Sequence, residues 1–274
     1  MRQWLGYALL YLCLAFVALF QIFPLIWLFL FSLKDNSEIF SGSPFALPSD
    51  PQFGNYLTVW EGGIGLYFFN SVWITGLAIV LTVLFASMAT FAITRMNWKL
   101  NKLVLGLFMV GLMIPIHSAL IPLFSMFLSV NLIDNPMSIV ITYTAYNLPI
   151  TMMILLGFYY TLPREIEEAA IIDGCSIHRL FFRIILPITT PIMSTTVIIN
   201  MIYNWNEFVF VNTFISSDQY KTLTVGIQNF IGQYMTDWGA IGATLIISVL
   251  PVMIAFFFFS NKVVEGISSS AVKG

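Results

Sequence analysis

Six charge-free stretches constrain this chain more than any other feature of its sequence. No Asp, Glu, Lys or Arg occurs in residues 3–33, 62–94, 103–133, 135–163, 184–206 and 238–261, and each stretch has at least 23 residues. About 20 apolar residues let a helix cross the roughly 30 Å hydrocarbon core of a membrane. The first stretch is too long for a signal peptide and lacks a small-residue cleavage pattern, so we expect a retained helix. The sequence therefore predicts an all-α, polytopic membrane protein with six transmembrane helices in a single domain, residues 1–274.

The composition supports a membrane location. Of the 274 residues, 59% are hydrophobic and 9% are charged, whereas soluble domains carry about 25% charged residues. Nucleic-acid binding is excluded because the net charge is −2 and the cations form no basic stripe. Cys13 lies in an apolar stretch and Cys175 in a polar loop, so we expect neither a disulfide framework nor a Cys-rich metal site.

The cations indicate the orientation, because Lys and Arg near the ends of spans stay in the cytoplasm. With the N-terminus inside, nine cations lie inside: Arg2, Arg95, Lys99, Lys102, Arg164, Arg179, Arg183, Lys262 and Lys273. Only Lys34 and Lys221 lie outside. Six spans then place both termini in the cytoplasm, with external loops at 34–61 and 216–237 and a cytoplasmic loop at 164–183.

The cytoplasmic loop contains four acidic residues and three arginines. Pro163 followed by an acidic first turn predicts the start of a short helix, and Gly174 predicts its end in the left-handed conformation. Ser176 is expected to cap a second short helix. Ile166, Ala169 and Ala170 are expected to share one face of the first helix, where small side chains allow another backbone to approach closely. The residues alone leave open whether the loop is a solvated charged turn or a docking site.

Glu168-Ala169-Ala170, then Gly174, then Ile185-Leu186-Pro187 resemble the EAA loop of ABC importer permeases. Other segments resemble the second, shorter membrane subunit of the maltose-type carbohydrate-uptake permeases. These segments are Ser32–Lys34, Glu38–Phe40, Asn55-Tyr56, Phe69–Ser71, Ile114-Pro115, Ile121–Leu123, Asn204–Phe208, Thr222–Gly226 and Ala271–Gly274. Cys175 and Thr224 stand where this family usually has alanine and proline.

The resemblance implies a type I ABC importer permease fold, in which the loop is a coupling helix that seats in a groove of a separate ATPase. The residues implied to couple to the ATPase are Glu165, Glu168, Ala169, Ala170, Asp173, Gly174 and Arg179. The implied partners are a second homologous permease in a heterodimer, two copies of a cytoplasmic ABC ATPase, and an extracytoplasmic sugar-binding protein. The implied location is the cell (inner) membrane of a prokaryote.

We expect the chain not to be an enzyme. Its sequence has no Gly-x-x-x-x-Gly-Lys-Ser/Thr phosphate-binding loop and no His-Glu-x-x-His or Gly-x-Ser-x-Gly motif. It is therefore expected to hold no cofactor and no metal, and ATP and Mg²⁺ are expected in the partner ATPase.

Polar residues inside the predicted fifth span are candidates for a substrate pathway, because they are costly in lipid. They are Asn200, Tyr203, Asn204, Trp205, Asn206 and Glu207. Amides donate and accept hydrogen bonds as sugar hydroxyls require, and aromatic faces stack on sugar rings. Hydrogen bonding between helices explains the same residues equally well. For a second cluster, at Thr142, Tyr143, Tyr146 and Asn147 in the fourth span, ordinary packing is the preferred interpretation.

Two features concern the course of the helices. Pro115 and Pro122 flank His117 in the third span and predict a bend there. The fifth helix is expected to continue past Glu207 through residue 215.

The function predicted overall is that of the permease subunit of an ATP-driven, binding-protein-dependent importer. The expected substrate is a di- or oligosaccharide, carried by alternating access, and segments 34–61 and 222–231 are the expected contacts of the binding protein. The alternative is a self-contained secondary transporter or channel for a small polar solute. That alternative requires a coupling-ion site, for which the sequence offers Glu207.

Overall fold

A computed structural model of the chain describes residues 2–232 and 236–271. Lys273, which enters the orientation argument, and residues 233–235 of the predicted second external loop lie outside the described residues. The α-helices in chain order are α1 (Arg2–Ser32), α2 (Asn36–Ser41), α3 (Gly54–Glu61), α4 (Ile64–Arg95), α5 (Asn101–Met113), α6 (Leu120–Ser129), α7 (Pro136–Tyr159), α8 (Glu165–Ile172), α9 (Ile177–Arg179), α10 (Leu186–Ile188), α11 (Thr190–Trp205), α12 (Val209–Phe214), α13 (Leu223–Gly226) and α14 (Trp238–Ala271). Shorter turns of 3₁₀-helix occur at Ile116–Ala119, Asp218–Tyr220 and Ile227–Phe230, and a π-helical turn occurs at Leu180–Ile185.

The predicted all-α membrane fold is confirmed, with four to six candidate spans among the described residues. In the described part of the chain, α1, α4, α7 and α14 are each long and apolar enough to cross a membrane. Two bent pairs bring the number to six when each pair is counted as one span. The third span bends by 98° at Ile114 and Pro115, and the fifth bends by 74° at Thr189, where Pro191 opens α11. A proline inside a span removes a backbone hydrogen bond, which favours a bend at these points.

Contacts within the chain define two compact units, and the prediction of a single domain stays a prediction. The first unit contains residues 1–66 and 226–251. Asn55 of α3 donates to the carbonyls of Ser32 and Lys34 at the end of α1, at 2.8 and 3.1 Å. Gly239 at the start of α14 lies so close to Asn55 that a Cβ atom there has no room. Two segments of the carbohydrate-permease pattern, Ser32–Lys34 and Asn55-Tyr56, therefore meet.

The second unit contains residues 67–225 and 252–274 and has two apolar clusters. One cluster joins Ala170 of the charged loop to Phe91 of α4, to Leu155 of α7 and to Phe181 of the π-helical turn. The other surrounds Phe210 and its neighbours in α12, which pack against α4, α6 and α7. The first cluster seats the charged loop against the ends of two spans.

The expectation that the fifth helix continues through residue 215 is wrong. Helix α11 ends at Trp205 with Asn206 as its C-cap, and a separate helix, α12, begins at Val209. The Glu207 carboxylate accepts hydrogen bonds from the backbone N–H groups of Phe210 and Val211, at 2.9 and 3.3 Å. The side chain thereby satisfies first-turn donors of the next helix, which starts that helix anew.

Candidate functional site

The charged loop forms the predicted short helix, α8. Glu165, Glu167 and Glu168 lie in its first turn, where the helix dipole favours anions. Gly174 has φ +74°, as predicted for the residue that ends the helix. Its N–H donates to the Ile171 carbonyl and the next N–H, of Cys175, donates to the Ala170 carbonyl, both at 2.9 Å. This pair of bonds is the Schellman motif, which requires a left-handed residue at this position.

The segment after Gly174 is less regular than expected. Ser176 occupies the N-cap position of α9, but within residues 2–232 its side chain makes no capping hydrogen bond. The expected cap is therefore wrong, and the Ser176 backbone carbonyl instead accepts from the N–H of Leu180 at 2.9 Å. Helix α9 has three residues and continues into the π-helical turn. In place of the expected second short helix, an irregular helical segment connects Gly174 to the fifth span.

Helix α8 has an outward and an inward face. The outward stripe consists of Glu165, Glu168, Ala169 and Ile172, at the i, i+3, i+4 and i+7 spacing of one helix face, and all four are exposed. Ile172 is 85% exposed. Asp173, Gly174 and Arg179 are also exposed, whereas Ala170 is buried in the apolar cluster. Six of the seven residues implied to couple to an ATPase are therefore accessible, and Ala170 supports them from inside.

Glu167, on the inward face, pairs with Arg95, the last residue of α4. The Arg95 Nε and the Glu167 Oε1 are 2.9 Å apart, and both side chains are nearly buried. The Arg95 Nη2 also donates to the carbonyls of Tyr159 and Leu162, at 2.7 and 3.0 Å. Burial raises the pKa of the Glu167 carboxyl above its ordinary value, although Arg95 and Arg164 act to lower it. The loop is therefore bound to the ends of α4 and α7 by a buried ion pair.

The polar residues of the fifth span separate into two groups. Asn200 exchanges hydrogen bonds with Thr151 of α7, at 2.9 and 3.3 Å. The Asn204 carbonyl oxygen accepts from the amide of Asn147 at 2.7 Å and from the hydroxyl of Tyr146 at 3.3 Å. Trp205 is buried, with its ring edge-on to Phe68 at 5.9 Å. These residues of α11 face its neighbours.

Tyr203, Asn206 and Glu207 line a cavity of about 920 Å³. The cavity lies among the bend between α5 and α6, helix α7, and the junction of α11 with α12. Its polar lining residues are His117, Thr142, Tyr146, Asn147, Tyr203, Asn206 and Glu207, and the remainder is apolar. Cavities of about 300–1,000 Å³ with apolar walls and few polar groups are typical of small-molecule sites.

The Glu207 carboxylate is already engaged by protein groups. Besides the two N–H groups of α12, it accepts from the hydroxyl of Tyr143 in α7 at 3.2 Å. Its backbone carbonyl accepts from the Thr224 hydroxyl at 2.8 Å. Glu207 therefore fixes the junction of α11 and α12 at the wall of the cavity. Within residues 2–232 and 236–271, no group of three or more His, Cys, Asp or Glu side chains is placed to hold a metal ion.

Sequence reasoning missed the roles of Arg95 and Glu167. Arg95 entered the sequence argument only as an orientation signal, and Glu167 only as part of an acidic turn. A charge at the end of an apolar span and an acid one residue before Glu168 gave no sign that they pair. For the fifth span, the spacing of Asn200 and Asn204, four residues apart, was a usable signal that they share a face distinct from that of Tyr203.

Comparison with known proteins places this site in a family context. The family described as "Binding-protein-dependent transport system inner membrane component" matches residues 79–268. The chain is 40% identical to the "Putative ABC transporter permease protein ORF2" of Caldicellulosiruptor sp. (strain Rt8B.4), over 92% of this chain and 91% of the relative. It is 31% identical to the "Melibiose/raffinose/stachyose import permease protein MelC" of Bacillus subtilis (strain 168), over 95% and 94%.

A solved structure shows the same fold. A chain of a bacterial ABC transporter involved in the import of the acidic polysaccharide alginate superposes with a TM-score of 0.82 at 18% identity. The match covers 95% of this chain and 97% of the other. The structural similarity establishes the architecture, since the sequences are too different to carry more.

Proposed function

We propose that this chain forms half of the pore of an ATP-driven sugar importer, because it belongs to the family of inner-membrane components of binding-protein-dependent transport systems. The other half is a second, homologous permease. Two copies of a cytoplasmic ATPase, with their ATP and Mg²⁺, supply the energy, and an extracytoplasmic binding protein delivers the sugar. The observation that carries the proposal is the exposed outward stripe on α8, which offers small and apolar surface among carboxylates.

The outward stripe supports docking of an ATPase for a physical reason. Ile171 and Ile172 are adjacent and are 60% and 85% exposed, and exposed apolar patches rimmed by charge commonly mark protein interfaces. Ala169, between Glu168 and Ile172, leaves room for a partner's backbone to approach. We place this face in the cytoplasm because nine of eleven cations flank the same ends of the spans.

Two observations support a sugar as the substrate class. The relative from Bacillus subtilis is named for melibiose, raffinose and stachyose, which are sugars. In this chain, Tyr203 offers an aromatic face and Asn206 an amide at the wall of the cavity, and both groups suit hydroxylated rings. We assign Tyr203, Asn206 and Glu207 to the wall of the substrate pathway, and Asn200, Asn204 and Trp205 to holding α11 in place.

Reconstitution tests the proposed function. We expect that proteoliposomes containing this chain, its second permease and the ATPase take up sugar only with the binding protein and ATP, and that omitting this chain abolishes stimulated ATP hydrolysis. Uptake by this chain alone, driven by an ion gradient without ATP, would support the secondary transporter instead. Candidate partners are the products of genes adjacent to that of this chain.

Substitutions at Tyr203 and at Asn206, the C-cap of α11, distinguish a role in the substrate pathway from a role in helix packing. Tyr203→Ala and Asn206→Ala are expected to lower sugar uptake by about two- to tenfold, the loss of about 0.5–1.5 kcal/mol for a stacked ring or a hydrogen bond. Thermal stability should be unchanged, because both side chains are exposed in the isolated chain. The measurement is initial uptake rate beside the unfolding midpoint of the purified complex.

Two matched variants complete this test. Tyr203→Phe keeps the ring and should retain uptake, whereas Asn204→Ala removes two contacts to α7 and should lower stability by about 0.6–1.7 kcal/mol per bond. Unchanged uptake in both Tyr203→Ala and Asn206→Ala, with the complex intact, would remove this wall from the pathway.

A further inference from the structure

The outward stripe has a defined direction only if α8 cannot turn about its own axis. Ala170 seats the helix in an apolar cluster, but apolar contact is non-directional and allows a helix to rotate or slide. Glu167 lies three residues before Ala170 on the inward face, and its Oε1 atom lies 2.9 Å from the Arg95 Nε. This second point of attachment restricts rotation of α8 about its axis and so favours one set of outward residues.

The same guanidinium also binds the end of α7. Its Nη2 donates to the carbonyl of Tyr159, the last residue of α7, and to that of Leu162, three residues further on. A cation at that end and an anion in the first turn of α8 both complement their helix dipoles. Because the guanidinium is planar and rigid, one side chain fixes α8 to the end of α7 and, through its own backbone, to α4. Helix α4 has 32 residues, a length of about 48 Å.

The connection of α8 to the fifth span is irregular in backbone structure and includes no ion pair of this kind among the described residues. It passes through Gly174, the three-residue helix α9 and the π-helical turn Leu180–Ile185, before the 74° bend that begins α11. A π-helical turn departs from regular hydrogen bonding and is frequent at functional sites. The firm connection of α8 therefore runs to α4 and α7, and the irregular one runs to α11.

Stability does not explain the pair. Burial raises the pKa of Glu167 despite two neighbouring arginines, which means that desolvation opposes the ionised form. Buried ion pairs of this kind contribute little net stability compared with apolar residues of similar volume, although they fix geometry. A positional role accounts for placing two charges here.

We propose that Arg95 is a positioning residue that, through Glu167, transmits movement of α8 to α4 and α7 during transport. This inference rests on the proposed function, since the movement originates in the ATPase. The pair acts after docking, so the ATPase binds without it and its hydrolysis is no longer converted into sugar movement.

The test uses the full reconstituted importer and measures sugar molecules transported per ATP hydrolysed. In Arg95→Gln and Glu167→Gln, we expect this ratio to fall by about tenfold, within the range for substitutions along a coupling path, while the ATPase co-purifies in wild-type amount. Arg95→Lys keeps the positive charge but loses the planar guanidinium, and its transport ratio should lie between those of Arg95→Gln and the wild type. Arg183→Gln removes an exposed cation from the same loop and should leave the ratio unchanged.

Each other outcome has a defined meaning. A wild-type ratio in Arg95→Gln overturns the inference, and so does loss of the ATPase from either glutamine variant, because the pair then serves docking. An equal fall in Arg183→Gln also overturns it, since net charge is then the cause. If the wild-type assembly itself shows no ATP-dependent uptake, the proposed function fails first, which distinguishes the two failures.

Discussion

Replacing Gly174 with valine is expected to abolish binding-protein-stimulated ATP hydrolysis while leaving the protein folded in the membrane. The glycine has φ +74°, a region that costs an ordinary L-residue about 1–2 kcal/mol and a β-branched residue more. Relief of that strain requires a change of φ, which breaks the Schellman bonds of Gly174 and Cys175. The exit of the chain from α8 is then redirected, and the outward stripe no longer meets the ATPase as it does in the wild type.

The controls exploit the open space around this glycine. Among the described residues, nothing lies within 4 Å of a Cβ atom added at Gly174, so bulk alone causes no clash within the chain. Gly174→Asn tolerates the left-handed conformation and should keep most of the stimulated hydrolysis. The measurement is ATPase rate in proteoliposomes with and without loaded binding protein. Wild-type stimulation by the valine variant would refute the argument from φ.

The number and place of the spans could be predicted from the sequence, because the absence of charge over 23 or more residues leaves few alternatives. Their bends could be predicted only in part. Pro115 pointed to a bend in the third span, but its angle of 98° depends on packing against α7 and α12. The break after Trp205 was missed because it depends on the Glu207 carboxylate finding the N–H groups of Phe210 and Val211.

The end of α8 could be predicted from local sequence, whereas its faces and tertiary contacts could not. Ala169 and Ala170 were expected to share one face, but Ala169 is exposed and Ala170 is buried. Gly174 after an acidic turn predicted both the helix end and its left-handed residue, because that capping is local. The pairing of Arg95 with Glu167 joins residues far apart in the chain, and nothing in either neighbourhood specifies the other. Likewise, the amides at Asn200 and Asn204 suited both substrate and helix contacts until the positions of Thr151 and Asn147 were known.

Phenylalanine at Ala169 is expected to detach the ATPase from an otherwise stable permease. Ala169 lies in the middle of the outward stripe, between Glu168 and the exposed Ile172. A phenyl ring there adds bulk where docking surfaces pack as closely as protein interiors. Overpacking costs about 1–3 kcal/mol, which corresponds to roughly 5- to 150-fold weaker binding. The readout is the amount of ATPase that co-purifies with the permease in detergent.

The adjacent alanine supplies the matched control, because the same substitution there meets a different environment. Ala170 is 6% exposed and packs with the apolar cluster at the ends of α4 and α7, so Ala170→Phe should lower the unfolding midpoint by overfilling the core. Ala169→Phe should leave that midpoint unchanged, and Ala169→Ser should retain the ATPase. If Ala169→Phe keeps the ATPase bound at wild-type affinity, the outward stripe is not the docking surface. If both phenylalanine variants unfold alike, the two faces of α8 do not differ as the structure indicates.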